Sequence, residues 1–414
     1  MVIVRKLLAL GLVIGSGWLL YIYGIGNVLS HALVSSSGEP VAPVVIPRYL
    51  SADALVIVAE KKLSSAEPEA LALCALAQDS GNGGAAAFLL SRFVESGHQA
   101  EADSAADLAA RLWPVQTYTH SRLADYWISQ DRVDKLIPEL SLLLIREPQL
   151  KKDFFPIIEV LTIGAGKLEL LAPYIAEPPN WWSGFFSYLS RRLPVSTLTE
   201  LYELRLASEA PMGESERASF VSRLITEGSW IEAFRHWQAG LSSEQQSRLV
   251  NGLYDGGFEG DLFNLGFGWV LRRDKSFDMV SRATYGATGS KAIQIAFRQG
   301  LHRIKFQHLS QRLLLAPGRY KLSYRARADA LKNPKGLVWR LRCVSAASKL
   351  LAEGEPMLHR YVWKAFSFEF SVPKSCAVQS LGLEAVSAYP HELLFSGQLW
   401  LDDVAVELVT GVSH

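Results

Sequence analysis

The chain has 414 residues, 49% hydrophobic and 20% charged, which is enough for two or three domains that each bury a core. Its 42 Lys+Arg against 41 Asp+Glu leave a net charge of +1, which excludes nucleic-acid binding driven by bulk charge. The charges are nonetheless segregated: residues 51–250 carry 18 basic and 26 acidic side chains (18 − 26 = −8), and residues 251–414 carry 21 and 14 (21 − 14 = +7). This asymmetry reads either as solvated surface or as a basic C-terminal module that meets an acidic part or an acidic ligand.

Residues 1–6 form a short basic tail with Arg5 and Lys6, and residues 7–29 (LLALGLVIGSGWLLYIYGIGNVL) carry no charge. At about 1.5 Å per residue this run spans roughly 30 Å, the thickness of a bilayer core. Trp18, Tyr21 and Tyr23 sit towards its far end, where interfacial aromatics anchor a helix. A cleaved signal peptide is the rival reading, because Ser30-His31-Ala32 offers small residues. The run exceeds the roughly 7–15 residues of a signal core, which favours an uncleaved anchor. Positive charge before the span keeps the N-terminus cytoplasmic and places the bulk of the chain across the membrane.

Residues 30–50 contain SSSG and three prolines and read as a linker. From residue 51 to 250 the periodicity is helical. Ser51 is the expected N-cap of ADALVIVAEKKL, PEALALCALAQ follows, and DSGNGG (79–84) breaks the pattern before AAAFLLSRFVESG and EADSAADLAARLWP. In SRLADYWISQ the spacing puts Leu123, Tyr126 and Trp127 on one face. Cys74 reads as a small buried hydrophobe on an apolar helix. Pro156, Pro173, Pro178, Pro179 and Pro194 exclude long continuous helices in the middle. The succession of short helices with small Ala on some and aromatics on others resembles degenerate tetratricopeptide repeats, which implies an α-solenoid of helical hairpins.

After Gly252 the period becomes two. KAIQIAF, YKLSYRARAD, GLVWRLRCVS and AFSFEFSVP each alternate an apolar with a wet face, separated by APG, KNPKG and VPK turns. This pattern predicts an antiparallel β-sandwich over 251–414. The inward set includes Trp339, Leu341 and Cys343; Trp400 is placed on one face with Val404 and Val406. The wet faces carry Gln294, Arg325, Arg327, Arg340, Arg342 and Glu384. Cys343 and Cys376 lie 33 apart, each in or beside a strand-like run. In an oxidising compartment a disulfide between them would contribute about 3–4 kcal/mol.

DGGFEG (255–260), GFGW (266–269), GSKAIQIAF, WKAFSFEFSVP and SGQLWLDDVAVE occur in an order that resembles jelly-roll carbohydrate-binding modules of the xylan- and cellulose-binding kind. The resemblance implies a galactose-binding-like jelly roll and polysaccharide as ligand. It also makes Glu259 and Asp402 candidate ligands of a structural calcium, against the alternative of an exposed acid and a cap-like Asp. WRLRC and VPKSCAVQSL resemble envelope proteins of Gram-negative bacteria, linked to exopolysaccharide clusters, that join a helical-repeat region to such a module. That likeness implies a single-pass inner-membrane protein with its bulk in the periplasm.

No HExxH, CxxC, GxSxG or strand-associated GxGxxG occurs, and YGATGSKA (285–292) lacks the GxxxxGK spacing of a phosphate loop. Paired carboxylates for glycoside hydrolysis are left open by sequence, but a non-catalytic role is expected. Sugar rings stack on aromatic faces and take hydrogen bonds from polar side chains. The candidate ligand set is therefore Arg325, Arg327, Arg340 and Arg342 with the loop-proximal Tyr361 and Trp363. The four arginines share one face provided that their two strands belong to one sheet. Two functions follow: polysaccharide binding during exopolysaccharide or capsule assembly or export, or a scaffold whose sandwich is purely structural and whose helices recruit envelope proteins. An exposed aromatic pair beside the arginines separates the first from the second.

Overall fold

The computed structural model describes residues 50–409, apart from 63–66, 113–116, 261–263, 299–302, 345–347 and 387–388. The expected anchor at 7–29 lies outside the described residues. No helix among those described is long and apolar enough to cross a membrane. The chain divides into two compact units, one ending at Phe185 and the other beginning at Phe186.

The first unit is helical: α1 (Ala52–Glu60), α2 (Pro68–Gln78), α3 (Gly83–Ser96), α4 (Gln99–Arg111), α5 (Thr117–Ser129), α6 (Val133–Arg146), α7 (Lys151–Glu159) and α8 (Ala172–Ala176), with α9 (Trp182–Leu189) crossing the division. The Ser51 hydroxyl accepts from the Ala54 N–H at 3.3 Å, the expected cap of α1. Consecutive helices pack in pairs, α1 on α2, α3 on α4 and α5 on α6. Leu123, Tyr126 and Trp127 are buried, as their spacing requires. Cys74 corrects its expectation, being free and exposed. Helix α2 is apolar nearly all round, and its inward stripe is Leu71, Ala72 and Ala75, which leaves Leu73 and Cys74 on the solvent side.

The second unit opens with α10 (Val195–Leu206), α11 (Glu214–Thr226), α12 (Trp230–Ala239) and α13 (Ser243–Ser247). The change of period near residue 250 is therefore not a boundary between compact units. Trp237 of α12 meets Tyr254 and Phe267 with ring centroids 5.5 and 5.7 Å apart, joining these helices to the start of the β region.

A short ribbon, β1 (Leu249–Val250) with β2 (Leu253–Tyr254), leads into the sandwich. Its strands are β3 (Val270–Leu271), β4 (Phe277–Ala283), β5 (Lys291–Phe297), β6 (Leu309–Leu313), β7 (Gly318–Lys332), β8 (Leu337–Cys343), β9 (Leu350–Glu353), β10 (His359–Val372), β11 (Gln379–Ala385) and β12 (Ser396–Leu408). They form two five-stranded antiparallel sheets, ordered β10-β7-β12-β5-β4 and β3-β6-β11-β8-β9. Most connections pass from one sheet to the other, as in a jelly roll. The inward residues build one core in which Phe258, Trp269 and Trp339 are buried, with Phe258–Trp269 and Trp269–Trp339 centroids 4.9 and 5.8 Å apart. Cys343 and Cys376 form a disulfide at one end of this core, with Cα atoms 5.7 Å apart.

Candidate functional site

The sheet order separates the four arginines. Arg325 and Arg327 lie on β7 and Arg340 and Arg342 on β8, and these strands belong to different sheets. The KNPKG turn between them carries the chain from one sheet to the other, so their wet faces point outward on opposite sides of the sandwich. The condition for a single arginine face is not met.

Trp363 joins the β7 pair. Strand β10 shifts register between Tyr361 and Lys364. Trp363 lies on the outer face, as alternation back from the inward Phe366 requires, with Arg325 and Arg327 guanidiniums 5.2 and 5.5 Å from its ring centre. The β4–β5 loop folds across this face and is held at several points. Trp363 Nε1 donates to the Tyr285 carbonyl at 2.9 Å, Arg325 Nη2 donates to the Gly286 carbonyl at 3.0 Å, and Arg327 Nη1 donates to Thr284 Oγ1 at 3.1 Å. Asp402 Oδ2 accepts from the Thr288 N–H at 2.8 Å, and Asp403 accepts from the Thr288 hydroxyl. Gly286 has φ +81°, and a Cβ there would lie 2.7 Å from the Trp363 ring, so only glycine lets the loop rest on the indole. At the tip of this fixed loop the Tyr285 side chain is 97% exposed.

Each arginine of this pair is committed to protein carboxylates. Arg327 pairs with Asp329 at 3.2 Å, and Arg325 lies 3.6 Å from Asp403 and 4.0 Å from Asp402. They orient Trp363 and leave no free fork for an acidic ligand. On the other face Arg342 donates to both Glu384 oxygens at 3.0 and 2.9 Å. Arg340 donates to Glu384 at 3.1 Å and to Glu353 at 2.5 Å. Burial pushes the Glu384 carboxyl up, but these guanidiniums outweigh it and hold its pKa below the usual range.

Trp400 sits differently from its sequence phase, and Tyr361 does not join the proposed ligand face. Trp400 lies opposite Arg327 and Gln294, not with Val404 and Val406, and the Arg327 guanidinium is 4.6 Å from its ring centre. The register shift between Asp402 and Ala405, with Asp403 at φ +51°, reverses the inward parity of β12. Leu399 and Leu401 therefore face the core before it, and Val404 and Val406 after it. Tyr361 turns inward opposite Ala328 and packs on Phe366. Its hydroxyl has no hydrogen-bond partner among the described residues, and burial pushes its pKa up.

Glu259 and Asp402 flank the same turn but spend their oxygens on it. Glu259 Oε1 accepts from the Ser290 and Lys291 N–H groups at 2.7 and 2.9 Å, and Oε2 from the Ser290 hydroxyl at 2.6 Å. Asp402 is fully buried; burial raises its pKa, partly offset by the Thr288 N–H. Calcium needs six or more oxygens converging on one point. No group of three His, Cys, Asp or Glu is arranged to hold a metal among the described residues. The donor set fits caps of the 288–291 turn, not a calcium cage.

No protein-family model matches the sequence, and no curated protein matches it. Among solved structures it is similar to the enzymatically active domain of tailspike protein 4 of bacteriophage CBA120, at 13% identity over 39% of this chain and 21% of that chain, TM-score 0.27. A structure of CBM4 is similar at 15% identity over 39% of this chain and 99% of that one, TM-score 0.27. The C-terminal family 22 carbohydrate binding module of Clostridium thermocellum Xyn10B is similar at 12% identity over 40% and 99%, TM-score 0.28. At these TM-scores the likenesses assign no ligand to this chain.

Proposed function

We propose that the chain is a membrane-anchored envelope protein whose sandwich binds a neutral polysaccharide over Tyr285 and Trp363, without catalysing its cleavage. The observation that carries this reading is Tyr285, a ring 97% exposed at the tip of a loop that carboxylates, arginines and an indole all hold in place. Because the loop backbone is already held, stacking a sugar face on this exposed ring orders only the Tyr285 side chain, not the loop. The neighbouring arginines are neutralised by Asp329, Asp402 and Asp403, which favours uncharged sugar hydroxyls over uronates at this site. The paired helices α1–α6, read as degenerate repeats, are proposed to recruit envelope proteins during export or assembly of the polysaccharide.

The test is binding of the full chain to neutral oligosaccharides such as cellohexaose and xylohexaose. One stacking ring is worth about 1–1.5 kcal/mol, so Tyr285→Ala is expected to weaken binding about ten-fold without changing Tm, since the side chain touches so little. Full affinity in both Tyr285→Ala and Trp363→Ala would show that this aromatic pair is not the binding site, and no binding by the unsubstituted chain would leave the sandwich as a structural element only.

The anchor has its own check. Alkaline carbonate extraction of membranes is expected to leave the full-length chain in the pellet, because residues 7–29 are uncharged behind Arg5-Lys6. Recovery of a soluble form beginning near residue 33 identifies a cleaved signal instead.

A further inference from the structure

Arg312 on β6 is half-buried, and among the described residues no acceptor reaches its guanidinium. Every other described arginine that is not exposed has one, as Arg217 does in the Gly240 carbonyl (3.2 Å) and Arg248 in Glu244 (2.5 Å). A desolvated guanidinium left without a partner is costly. Burial lowers the Arg312 pKa, and the nearby Arg272 charge lowers it further.

The register fixes what surrounds it. Arg312 faces Ser380 across β6–β11, and Ser380 faces Arg342 across β11–β8. The three stand in a row across the outer face of the β3-β6-β11-β8-β9 sheet, with neighbouring strands about 4.8 Å apart. At one end Arg342 is closed by Glu384. At the other, Arg312 and the exposed Arg272 present positive charge that no carboxylate among the described residues answers.

We propose that Arg312, with Ser380 and Arg272, forms a subsite for the carboxylate of an acidic sugar residue, on the face opposite the Tyr285–Trp363 site. The planar guanidinium fork matches both carboxylate oxygens, and the Ser380 hydroxyl stands beside it to donate a further hydrogen bond. Bound uronate supplies the counter-charge that the described residues do not. This inference rests on the reading that the sandwich binds polysaccharide, but it uses different residues and a different sugar chemistry.

The experiment titrates the full chain with hexagalacturonate and with cellohexaose at low and high salt. Arg312→Gln is expected to weaken hexagalacturonate about ten-fold or more and to flatten its salt dependence, with cellohexaose unchanged. Its Tm is expected to stay the same or rise, because the substitution removes an unpaired, half-buried charge. Arg312→Lys, which keeps the charge without the fork, is expected to fall between. Unchanged hexagalacturonate binding in Arg312→Gln overturns the subsite, as does a lowered Tm with both ligands weakened alike, the mark of a structural arginine. If only hexagalacturonate binds, and through Arg312, the aromatic site falls and this subsite stands. If only cellohexaose binds, this subsite alone falls; if neither binds, both fall.

Discussion

Gly256→Ala is expected to destabilise the second unit by about 3–5 kcal/mol or to leave it unfolded, while Gly257→Ala, one residue on, changes stability by less than about 1 kcal/mol. A Cβ at Gly256 would be driven into the carbonyl oxygen of Val404, far inside contact distance, with Leu253 Cδ2 at 3.0 Å on another side. The obstacle is backbone, so it cannot rotate away. The same pair of residues is joined by the Val404 N–H donating to the Gly256 carbonyl at 2.9 Å. Relief of the clash therefore breaks the bond that ties the opening motif to β12. Around it, Asp255 accepts from the Glu259 and Gly260 N–H groups at 3.0 Å each, its own carbonyl accepts from Trp269 Nε1 at 2.9 Å, and Phe258 is buried at φ +55°. At Gly257 the nearest atom to an added Cβ is Glu259 Cγ at 3.6 Å, ordinary contact. Urea unfolding of the full chain carrying each substitution checks the contrast. Equal midpoints for the two variants would show that the close approach to Val404 does not matter.

Removing the disulfide is the second large effect. Cys343 ends β8 and Cys376 follows β10, and both belong to the buried core. The bond closes a loop of 33 residues, and the entropy it withholds from the unfolded chain corresponds to about 3–4 kcal/mol. Cys343→Ala/Cys376→Ala is expected to lower the unfolding free energy of the second unit by that amount, and dithiothreitol to do the same to the unsubstituted chain. Cys74→Ser is the control, because that thiol is free and exposed, and it is expected to leave the midpoint unchanged. Coincident unfolding curves for the oxidised and reduced protein would sink this prediction.

Much of the site's chemistry was visible in the sequence, but its grouping was not. The outward alternation of Arg325, Arg327, Arg340 and Arg342 follows from the period of two, and each does lie on a wet face. Which carboxylate answers each arginine depends on strands distant in sequence: Glu384 reaches Arg342 across β11–β8, and Asp403 reaches Arg325 across β12–β7. Tyr285 stands inside YGATGSKA, a stretch that the sequence weighs only against a phosphate loop, where the tyrosine has no part. Its position at the tip of a Gly-containing turn was the available signal. Arg312 gave no signal at all, because an arginine without a partner looks the same in a sequence as one with a partner.

Local and periodic features were settled by the sequence alone. The Ser51 cap, the buried face of Leu123, Tyr126 and Trp127, and the inward sets of β7, β8 and β10 all arise from interactions within a few residues or from the alternation of the pleat. Tertiary structure decided whatever depends on counting across an irregularity or between sheets. The bulge after Asp402 reversed the parity that placed Trp400 with Val404, and the shift between Tyr361 and Lys364 turned Tyr361 inward, away from the face that Trp363 occupies. The crossing between β7 and β8 divided one arginine set into two faces. A single extra residue in a strand costs little locally, yet it inverts every side chain beyond it, and only the partner strand determines where that residue goes.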